Sequence, residues 1–427
     1  MKKFTVLLIF MLSLTGVKAQ QLTIDECQRL ARENYPSIHQ FGFIEKSNQY
    51  SIENARTAYL PQISLSGQAT YQSAVSEFPD QMKQLYTKSG IDMKGLSKDQ
   101  YKIGVDVNQV IWDGGLTKSK NGITQSEGDV EKQQVEVELY GLKDRVNSLF
   151  FGILMIEAQE KQNLNTQEML QTNCNKVQTM INNHTALQSD LDVMKAELVT
   201  TRQQYTQLVS ACQSYRQMLG LFIHKDMSNI ELQMPTTQTE ETQTVNRPEL
   251  QLFDTQQKSL TAKRKAILAA LNPQIGAFAQ GYYGKPGMNM FKDMVENKFS
   301  LNAMIGIRLR WNLSGLYTKK RDLSNIDIAS QRIETQRQTF LFNTMLTTTK
   351  QQNAIGEMKK ILSDDDEIIR LRQSVRKTTE SKLSNGIINT SDLVRDITNE
   401  NNARIAKASH EIELLNRIYQ LKNTINQ

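Results

Sequence analysis

The sequence predicts a mainly α-helical fold with a β-barrel part, arranged as two structural repeats that each hold two strands and a long antiparallel helical hairpin. The strand–turn–helix segment 101–120 has a counterpart at 299–320, and residues 33–64 align without gaps on residues 245–276. Beyond each pair of strands, apolar residues recur at alternating spacings of four and three. This spacing is typical of coiled-coil helices.

The chain begins with a predicted secretion signal at residues 1–19. Lys2 and Lys3 precede an apolar run, and Ala19 ends a small-x-Ala cleavage site. No later stretch holds the roughly 18 apolar residues that a helical membrane span requires. The formal net charge of +6 is spread along the chain, with no basic cluster among aromatic residues, so we expect no nucleic-acid partner.

The first repeat is predicted to span residues 20–233, with strands at about 62–73 and 101–112. Its N-terminal helix has Thr23 as the expected N-cap. Residues 73–99, between the strands, are polar and predict an irregular loop. The second strand has one apolar and one polar face, with Tyr101, Ile103, Val105, Val107 and Ile111 alternating with Lys102, Gly104, Asp106 and Asn108.

The second repeat is predicted to span residues 246–427, with strands at about 274–283 and 299–311 that alternate in the same way. Trp112 and Trp311 end the second strand of each repeat. Roughly ten alternating residues that end in an aromatic are typical of an outer-membrane strand, although a half-buried strand of a soluble sheet alternates likewise. The two tryptophans favour the membrane interpretation.

A helical hairpin follows the strands in each repeat, at about 116–219 and 323–424. The helices of each hairpin are expected to separate at a polar break, residues 182–184 in the first and 384–386 in the second. A polar linker, residues 234–245, joins the repeats. The three cysteines are odd in number and show no C-x-x-C spacing, so we expect free thiols.

The second helix of each hairpin opens with a matching motif, QSDL in the first repeat and TSDL in the second. Ser189 and Ser391 are the expected N-caps of these helices. Asp190 and Asp392 then lie in the first helical turn, where the helix dipole stabilises a carboxylate.

Four membrane strands per chain are too few to close a barrel that has a lumen. An open sheet in lipid would leave edge N–H and C=O groups unsatisfied, at a cost of several kcal/mol each. Several copies must therefore share one barrel, and the long helices would extend it into the aqueous space. The sequence predicts a homo-oligomeric tube, part β and part α.

Several motifs resemble those of the TolC family of outer-membrane efflux proteins, namely NRPEL at 246–250, AYLPQIS, LNPQIG, WDGG and NGIINTSDL. The resemblance covers nearly all of the predicted mature chain. It implies a homotrimer in outer-membrane lipid, in which four strands per chain contribute to a shared transmembrane β-barrel and the helices form an α-barrel across the periplasm.

The same resemblance implies a function. The trimer would be the exit duct of a tripartite efflux or type I secretion system, passing small molecules or proteins from the periplasm to the exterior. Its expected partners are a periplasmic membrane-fusion adaptor and an inner-membrane transporter.

The resemblance further implies a periplasmic gate lined by acidic residues at the start of the second return helix. Asp392 matches the first acidic position, whereas the second falls on Arg395, so that Asp396 is a candidate substitute. Asp190 occupies the matching position in the first repeat. Asp190 and Asp392 could instead serve only to cap their helices.

The tyrosine and the arginine that hold the family's constriction closed fall on Leu383 and Ile388 in this sequence. Neither residue can reproduce a polar latch. Closure is therefore expected to rest on apolar contact at these positions.

Charged side chains on the polar strand faces are candidates to line the pore, or they could pair with one another and with water. They are Lys102, Asp106, Arg308 and Arg310. Trp112 and Trp311 are expected to anchor the barrel at the membrane interface, with core packing as the alternative. The acidic run at residues 364–367 predicts a solvated helix face.

We expect no enzymatic activity. The four histidines show no metal-ligand spacing, and the sequence contains neither a G-x-S-x-G motif nor a Gly-rich phosphate loop after a strand. We therefore predict no cofactor and no metal site. The alternative function is that of a secreted periplasmic coiled-coil adaptor or structural protein, whose strands would form a soluble domain.

Overall fold

The computed structural model of the chain describes residues 21–236 and 244–426. The predicted signal peptide and most of the predicted linker lie outside these ranges. The helices of the described residues are α1 (Ile24–Asn34), α2 (Gln40–Arg56), α3 (Asp80–Lys88), α4 (Leu116–Tyr140), α5 (Leu142–Asn182), α6 (Gln188–Ile223), α7 (Pro248–Ala269), α8 (Met290–Glu296), α9 (Gly315–Ser384) and α10 (Thr390–Ile425). The strands are β1 (Gln21–Leu22), β2 (Gln62–Tyr71), β3 (Asp99–Trp112), β4 (Glu231–Leu232), β5 (Gln274–Lys285) and β6 (Ser300–Arg310).

The chain divides into two compact units, which we call the helical unit and the sheet unit. The helical unit comprises Met1–Gln40, Gln133–Gln251 and Gln336–Gln427, and the sheet unit comprises Phe41–Lys132 and Leu252–Thr335. Each unit takes segments from both sequence repeats. The repeats are therefore not separate structural domains, because strands of one repeat pair with strands of the other.

In the sheet unit, β2, β3, β5 and β6 form one antiparallel sheet in that order. The β3–β5 pair joins the first repeat to the second. Leu65 lies opposite Val105, which lies opposite Gly281 on the next strand. Because side chains alternate along each strand, this register places the apolar positions of all four strands on one face.

In the helical unit, an apolar core forms where α1, α5 and α6 meet. Thr23 caps α1, since its Oγ1 accepts a hydrogen bond from the backbone N–H of Glu26 at 3.2 Å, as the sequence predicted. The α5 residues Phe150 and Ile153 are fully buried against Leu219 of α6. A second apolar cluster lies near the hairpin tips and includes Leu170, Leu191, Met194, Leu383, Leu393 and Ile397.

Several elements differ in detail from the sequence prediction. The first long helix is divided into α4 and α5 at Gly141, although the backbone there stays helical, with φ −62° and ψ −15°. The α9 helix begins at Gly315 rather than near residue 323. The predicted irregular loop at 73–99 contains α3, in which the Tyr86 ring lies 6.1 Å from that of Phe78. Among the described residues, no helix is both long and apolar enough to cross a membrane.

The NRPEL motif acts as a clamp within the helical unit. The Arg247 guanidinium lies 4.8 Å from the ring centroid of Tyr140 and 5.7 Å from that of Phe340, and it forms an ion pair with Glu249. Pro248 starts α7, where the lost N–H of proline costs nothing. The motif thus fixes the start of α7 against two other helices.

Replacement of Arg247 by lysine should destabilise the helical unit although it keeps the charge. Lysine lacks the planar fork that stacks on both rings and binds a carboxylate, so the free energy of unfolding should fall by about 2 kcal/mol. Urea unfolding in detergent measures this, with Arg29→Lys, at an exposed i,i+4 pair, as the control. Equal stability of the two variants would contradict the clamp.

Candidate functional site

The sheet has one continuous apolar face that is exposed in the protomer. Ile305, at the centre of β6, is 83% exposed. A contiguous apolar surface of this kind is normally covered by a partner or by lipid. The side chains of this face include Ile63, Leu65, Ile103, Val105, Ala279, Leu301, Ile305, Ile307 and Leu309.

Two tryptophans lie at one edge of this sheet, the edge at which β3 and β6 end and β2 and β5 begin. Because β3 and β6 are each antiparallel to β5, they run in the same direction and end at the same edge. Trp112 lies opposite Ile275, and Trp311 directly follows β6 and donates its Nε1–H to the carbonyl of Leu271 at 3.0 Å. They are 45% and 58% exposed, so neither is packed in a core of the protomer.

A second aromatic band lies at the opposite edge. The Phe299 ring is 5.5 Å from that of Tyr283 and 6.3 Å from that of Tyr101, and Tyr71 is exposed on the same face. At about 3.3 Å per residue, about 36 Å of strand separates Tyr101 from Trp112. With a strand tilt of about 40° the two bands would lie about 28 Å apart across a membrane, which matches an apolar belt between two aromatic girdles.

The opposite face of the sheet is polar and holds the predicted pore-lining residues. Asp106 accepts hydrogen bonds from Gln280 at 2.6 Å and from Ser66 at 3.1 Å. Lys102 and Arg308 instead lie over aromatic rings on this face. The Lys102 Nζ is 4.1 Å from the Tyr282 centroid, and the Arg308 guanidinium is 4.8 Å from that of Phe278.

The structure shows how these charges are placed relative to one another. Within the part of the chain that the structure describes, no ion pair joins Lys102, Arg308 or Arg310 to Asp106. Arg310 ends β6 opposite Gln274, at the tryptophan edge. The cations are therefore not neutralised by Asp106 and remain on the polar face.

The hairpin tips in the helical unit enclose a groove of 480 Å³ that is lined by two of the three predicted gate residues, Asp190 and Asp392. Asp190 comes from the start of α6 and Asp392 from the start of α10. Leu187 and Ile387 also line this groove and are among the most exposed apolar side chains of the unit. The groove thus combines two carboxylates with exposed apolar surface.

The acidic residues at the tips have different contacts. Asp190 Oδ2 accepts a hydrogen bond from the backbone N–H of Leu187 at 3.0 Å, so it caps its helix. Asp392 Oδ1 lies 3.1 Å from Arg395. The Asp396 carboxylate is buried and accepts a hydrogen bond from Thr379 Oγ1 at 2.7 Å.

The predicted serine caps are wrong. Both serines lie inside the first helical turn, since α6 begins at Gln188 and α10 at Thr390. The N-cap of α10 is Asn389, whose Oδ1 accepts a hydrogen bond from the backbone N–H of Asp392 at 3.0 Å. Leu383 is buried in the second apolar cluster, and Ile388 packs against it.

A buried ionic network, not predicted from the sequence, joins α9 to α10. The Arg376 Nε lies 2.5 Å from Glu400, and the Arg404 Nη2 lies 2.8 Å from the same carboxylate. Arg376 also pairs with Glu380 at 3.0 Å, and Glu380 pairs with Lys176 of α5. The i,i+4 spacing of Arg376 and Glu380 was visible in the sequence, but the link between helices was not.

The acidic run at residues 364–367 is not a wholly solvated face, in contrast to the prediction. Asp365 is buried and lies 2.8 Å from His410 Nδ1 of α10. Asp366 pairs with Lys407 at 2.5 Å. The difference arises because α10 brings basic side chains alongside the run, which local sequence does not reveal.

The described residues contain no group of three or more His, Cys, Asp or Glu side chains that could hold a metal ion. Cys27, Cys174 and Cys212 are free and buried. Burial raises the pKa of the Cys27 thiol to about 12. A thiol with so high a pKa is unreactive at neutral pH.

No protein-family model and no curated protein sequence matches the chain. Solved structures match it over nearly its full length. The outer membrane protein VceC of Vibrio cholerae matches with a TM-score of 0.64 and 11% identity, over 94% of this chain and 94% of that chain. The CmeC outer membrane channel of Campylobacter jejuni matches with a TM-score of 0.62 and 11% identity, over 94% and 85%.

The open state of the MtrE outer membrane channel of Neisseria gonorrhoeae matches with a TM-score of 0.61 and 12% identity, over 97% of this chain and 93% of that chain. The similarity confirms the predicted fold class, mainly helical with a β part. It shows that the chain has the fold of these outer-membrane channels.

Proposed function

Because the chain has the TolC-like fold of outer-membrane channels, we propose that it is itself an outer-membrane channel that extends into the periplasm. It would be the exit duct of a tripartite efflux or type I secretion system and pass small molecules or proteins outwards. The observation that carries this proposal is the exposed apolar face of the sheet, bounded by an aromatic band at each edge. Lipid is the partner that such a face fits.

The proposed assembly is a homotrimer. In the described sheet, β2 and β6 are the outer strands, and each pairs on one side only. The unpaired backbone N–H and C=O groups along these outer strands would be costly in lipid. In a trimer, β6 of each copy would pair with β2 of the next copy and close one barrel. The helical unit also exposes large apolar side chains that neighbouring copies would cover, among them Val199, Val209, Met218 and Leu221 of α6 and Phe342, Met345, Leu346, Ile368 and Leu371 of α9.

The proposed partners are a periplasmic membrane-fusion adaptor and an inner-membrane transporter. Support comes from the hairpin tips, where exposed Leu187 and Ile387 flank a groove that also holds acidic side chains. The alternative, a secreted adaptor with a soluble strand domain, has less support. A soluble sheet would bury its apolar face, whereas Ile305 and its neighbours are open.

Membrane fractionation and conductance test the channel. The protein should need detergent for extraction from outer membranes, run as a heat-modifiable oligomer and form ion-conducting pores in planar bilayers. Recovery of a soluble monomer from the periplasmic fraction would contradict the proposal and favour the adaptor.

We also propose that Asp392, with Asp190 in the same groove, contributes to a periplasmic gate. Asp392→Ala should weaken block by divalent cations in planar bilayers, because one carboxylate ligand is lost from each copy. The half-blocking concentration should rise about tenfold. Asp364→Ala removes an exposed carboxylate elsewhere on the helical unit and is the control. Unchanged block in Asp392→Ala would remove this residue from the gate.

A further inference from the structure

A charged side chain, that of Lys285, lies within the second aromatic band on the apolar face. It is the last residue of β5 and pairs in register with Tyr101, so its side chain projects on the same face as that ring. Its Nζ lies 5.6 Å from the centroids of both Tyr101 and Phe299. The lysine is half-buried.

This ammonium group has no acidic partner among the described residues. The nearest acidic position on the same face is Asp99, which lies beyond Tyr101 at the start of β3, and no ion pair joins it to Lys285. Aromatic faces stabilise a cation but do not neutralise it. An ammonium group that is partly removed from water and has no acidic partner is expected to bind an anion from outside the protein.

The position of Lys285 identifies the kind of anion. The chain enters and leaves the sheet at the tryptophan edge through α2, α4, α7 and α9, whereas the Lys285 edge carries only the two connections that contain α3 and α8. In the proposed channel the helices extend into the periplasm, so the Lys285 edge faces the exterior. The second aromatic band then lies at the depth of the outer-leaflet headgroups.

We propose that Lys285, beside the rings of Tyr101 and Phe299, binds the phosphate of an anionic lipid headgroup in the outer leaflet. This site rests on the proposed membrane function. The lysine supplies the charge, while the rings cover the acyl chains and sugar or glycerol of the same lipid. Anionic headgroups attract nearby lysines strongly enough to measure.

The test compares lipid retention by Lys285→Gln and Lys298→Gln. Lys298 is adjacent to Phe299 in sequence but is 77% exposed and lies 3.9 Å from Glu296, so its replacement removes the same charge at the same edge without touching the site. Both variants and the unmodified protein are purified as oligomers and exposed to vesicles of phosphatidylcholine doped with lipid A or with phosphatidylglycerol. Bound lipid is then counted by native mass spectrometry.

Lys285→Gln should retain about fivefold less lipid A than the unmodified protein, while Lys298→Gln should match it. Heat-modifiability of the oligomer shows that each variant is folded. Equal retention by the two variants would overturn the lipid site. Displacement of the lipid by excess inorganic phosphate would also overturn it, since the site would then bind a free anion.

These outcomes are separable from failure of the proposed function. A protein that does not enter vesicles at all contradicts the channel itself. A protein that inserts normally but binds lipid A equally well with and without Lys285 contradicts only the lipid site.

Discussion

Ile305→Lys is expected to prevent stable insertion of the protein into membranes, whereas Met304→Lys, one residue earlier, is expected to be tolerated. Ile305 lies midway between the aromatic bands on the apolar face. Met304 projects on the polar face, where it lines a cavity with Asp106 and Arg308. A lysine at the bilayer midplane of a barrel costs about 2–4 kcal/mol per copy.

Both variants add the same charge to the same strand. A difference between them therefore depends on which face of the sheet carries that charge. The amount of heat-modifiable oligomer in outer-membrane fractions measures insertion. Ile305→Lys should lower this amount at least about tenfold if three copies each bear the cost. Normal insertion of Ile305→Lys, or failure of both variants, would show that the apolar face does not contact lipid.

Glu400→Gln is expected to destabilise the helical unit by about 3 kcal/mol, since it removes the buried carboxylate that faces Arg376 and leaves this guanidinium with the more exposed Glu380. Glu400 is 1% exposed and binds both Arg376 and Arg404. Replacement of both members of the buried pair, Arg376→Met with Glu400→Leu, should recover much of the loss, because no buried charge is then left unpaired. Arg404 loses Glu400 but is partly exposed to water, and Glu380 keeps Lys176. Urea unfolding in detergent measures both variants.

A mere loss of packing at residue 400 would leave the double variant at least as unstable as Glu400→Gln. That result would contradict the ionic explanation. The matched surface control is Glu367→Gln, which removes the carboxylate that pairs with Arg370 on the solvent-exposed side of α9. Glu367→Gln should leave the free energy of unfolding nearly unchanged, because an exposed ion pair contributes little.

The same network predicts a pH dependence. Burial disfavours the charged form of Glu400, but hydrogen bonds from Arg376 and Arg404 outweigh it and lower the pKa of this carboxyl below its ordinary value of 4.5. A lowered folded-state pKa contributes stability that is present above pH 4.5 and is lost as the pH falls through the folded-state value. The free energy of unfolding, measured at pH 7, 5 and 3, should fall towards pH 3. This fall should be smaller in Glu400→Gln than in the unmodified protein.

Local periodicity allowed much of the fold to be predicted. Alternation in segment 101–112 defines an apolar and a polar face whatever its partners are, and the structure keeps Ile103 and Val105 together opposite Lys102 and Asp106. Heptad spacing likewise predicted long paired helices. These features depend on residues close together in the chain, so they are readable without the tertiary structure.

Contacts between distant segments were not readable in this way. The i,i+4 spacing of Arg376 and Glu380 is compatible with an ordinary surface pair, and nothing near them in sequence indicates that Glu400 would bury its carboxylate against Arg376. Asp396 was expected as a substitute at the gate, but the structure directs its carboxylate toward Thr379. Helix rotation decides which side of α10 faces α9, and that rotation is set by packing of the whole apolar cluster.

The sequence by itself determined the two repeats, the two-faced strands with their terminal tryptophans and the long helices, because each follows from the spacing of neighbouring side chains. Only the tertiary structure decided that β3 pairs with β5 across the repeats, that Lys285 lies between two aromatic rings and that Glu400 joins α9 to α10. The physical reason is that pairing and packing bring together residues far apart in the chain, and their energies depend on the complete set of neighbours.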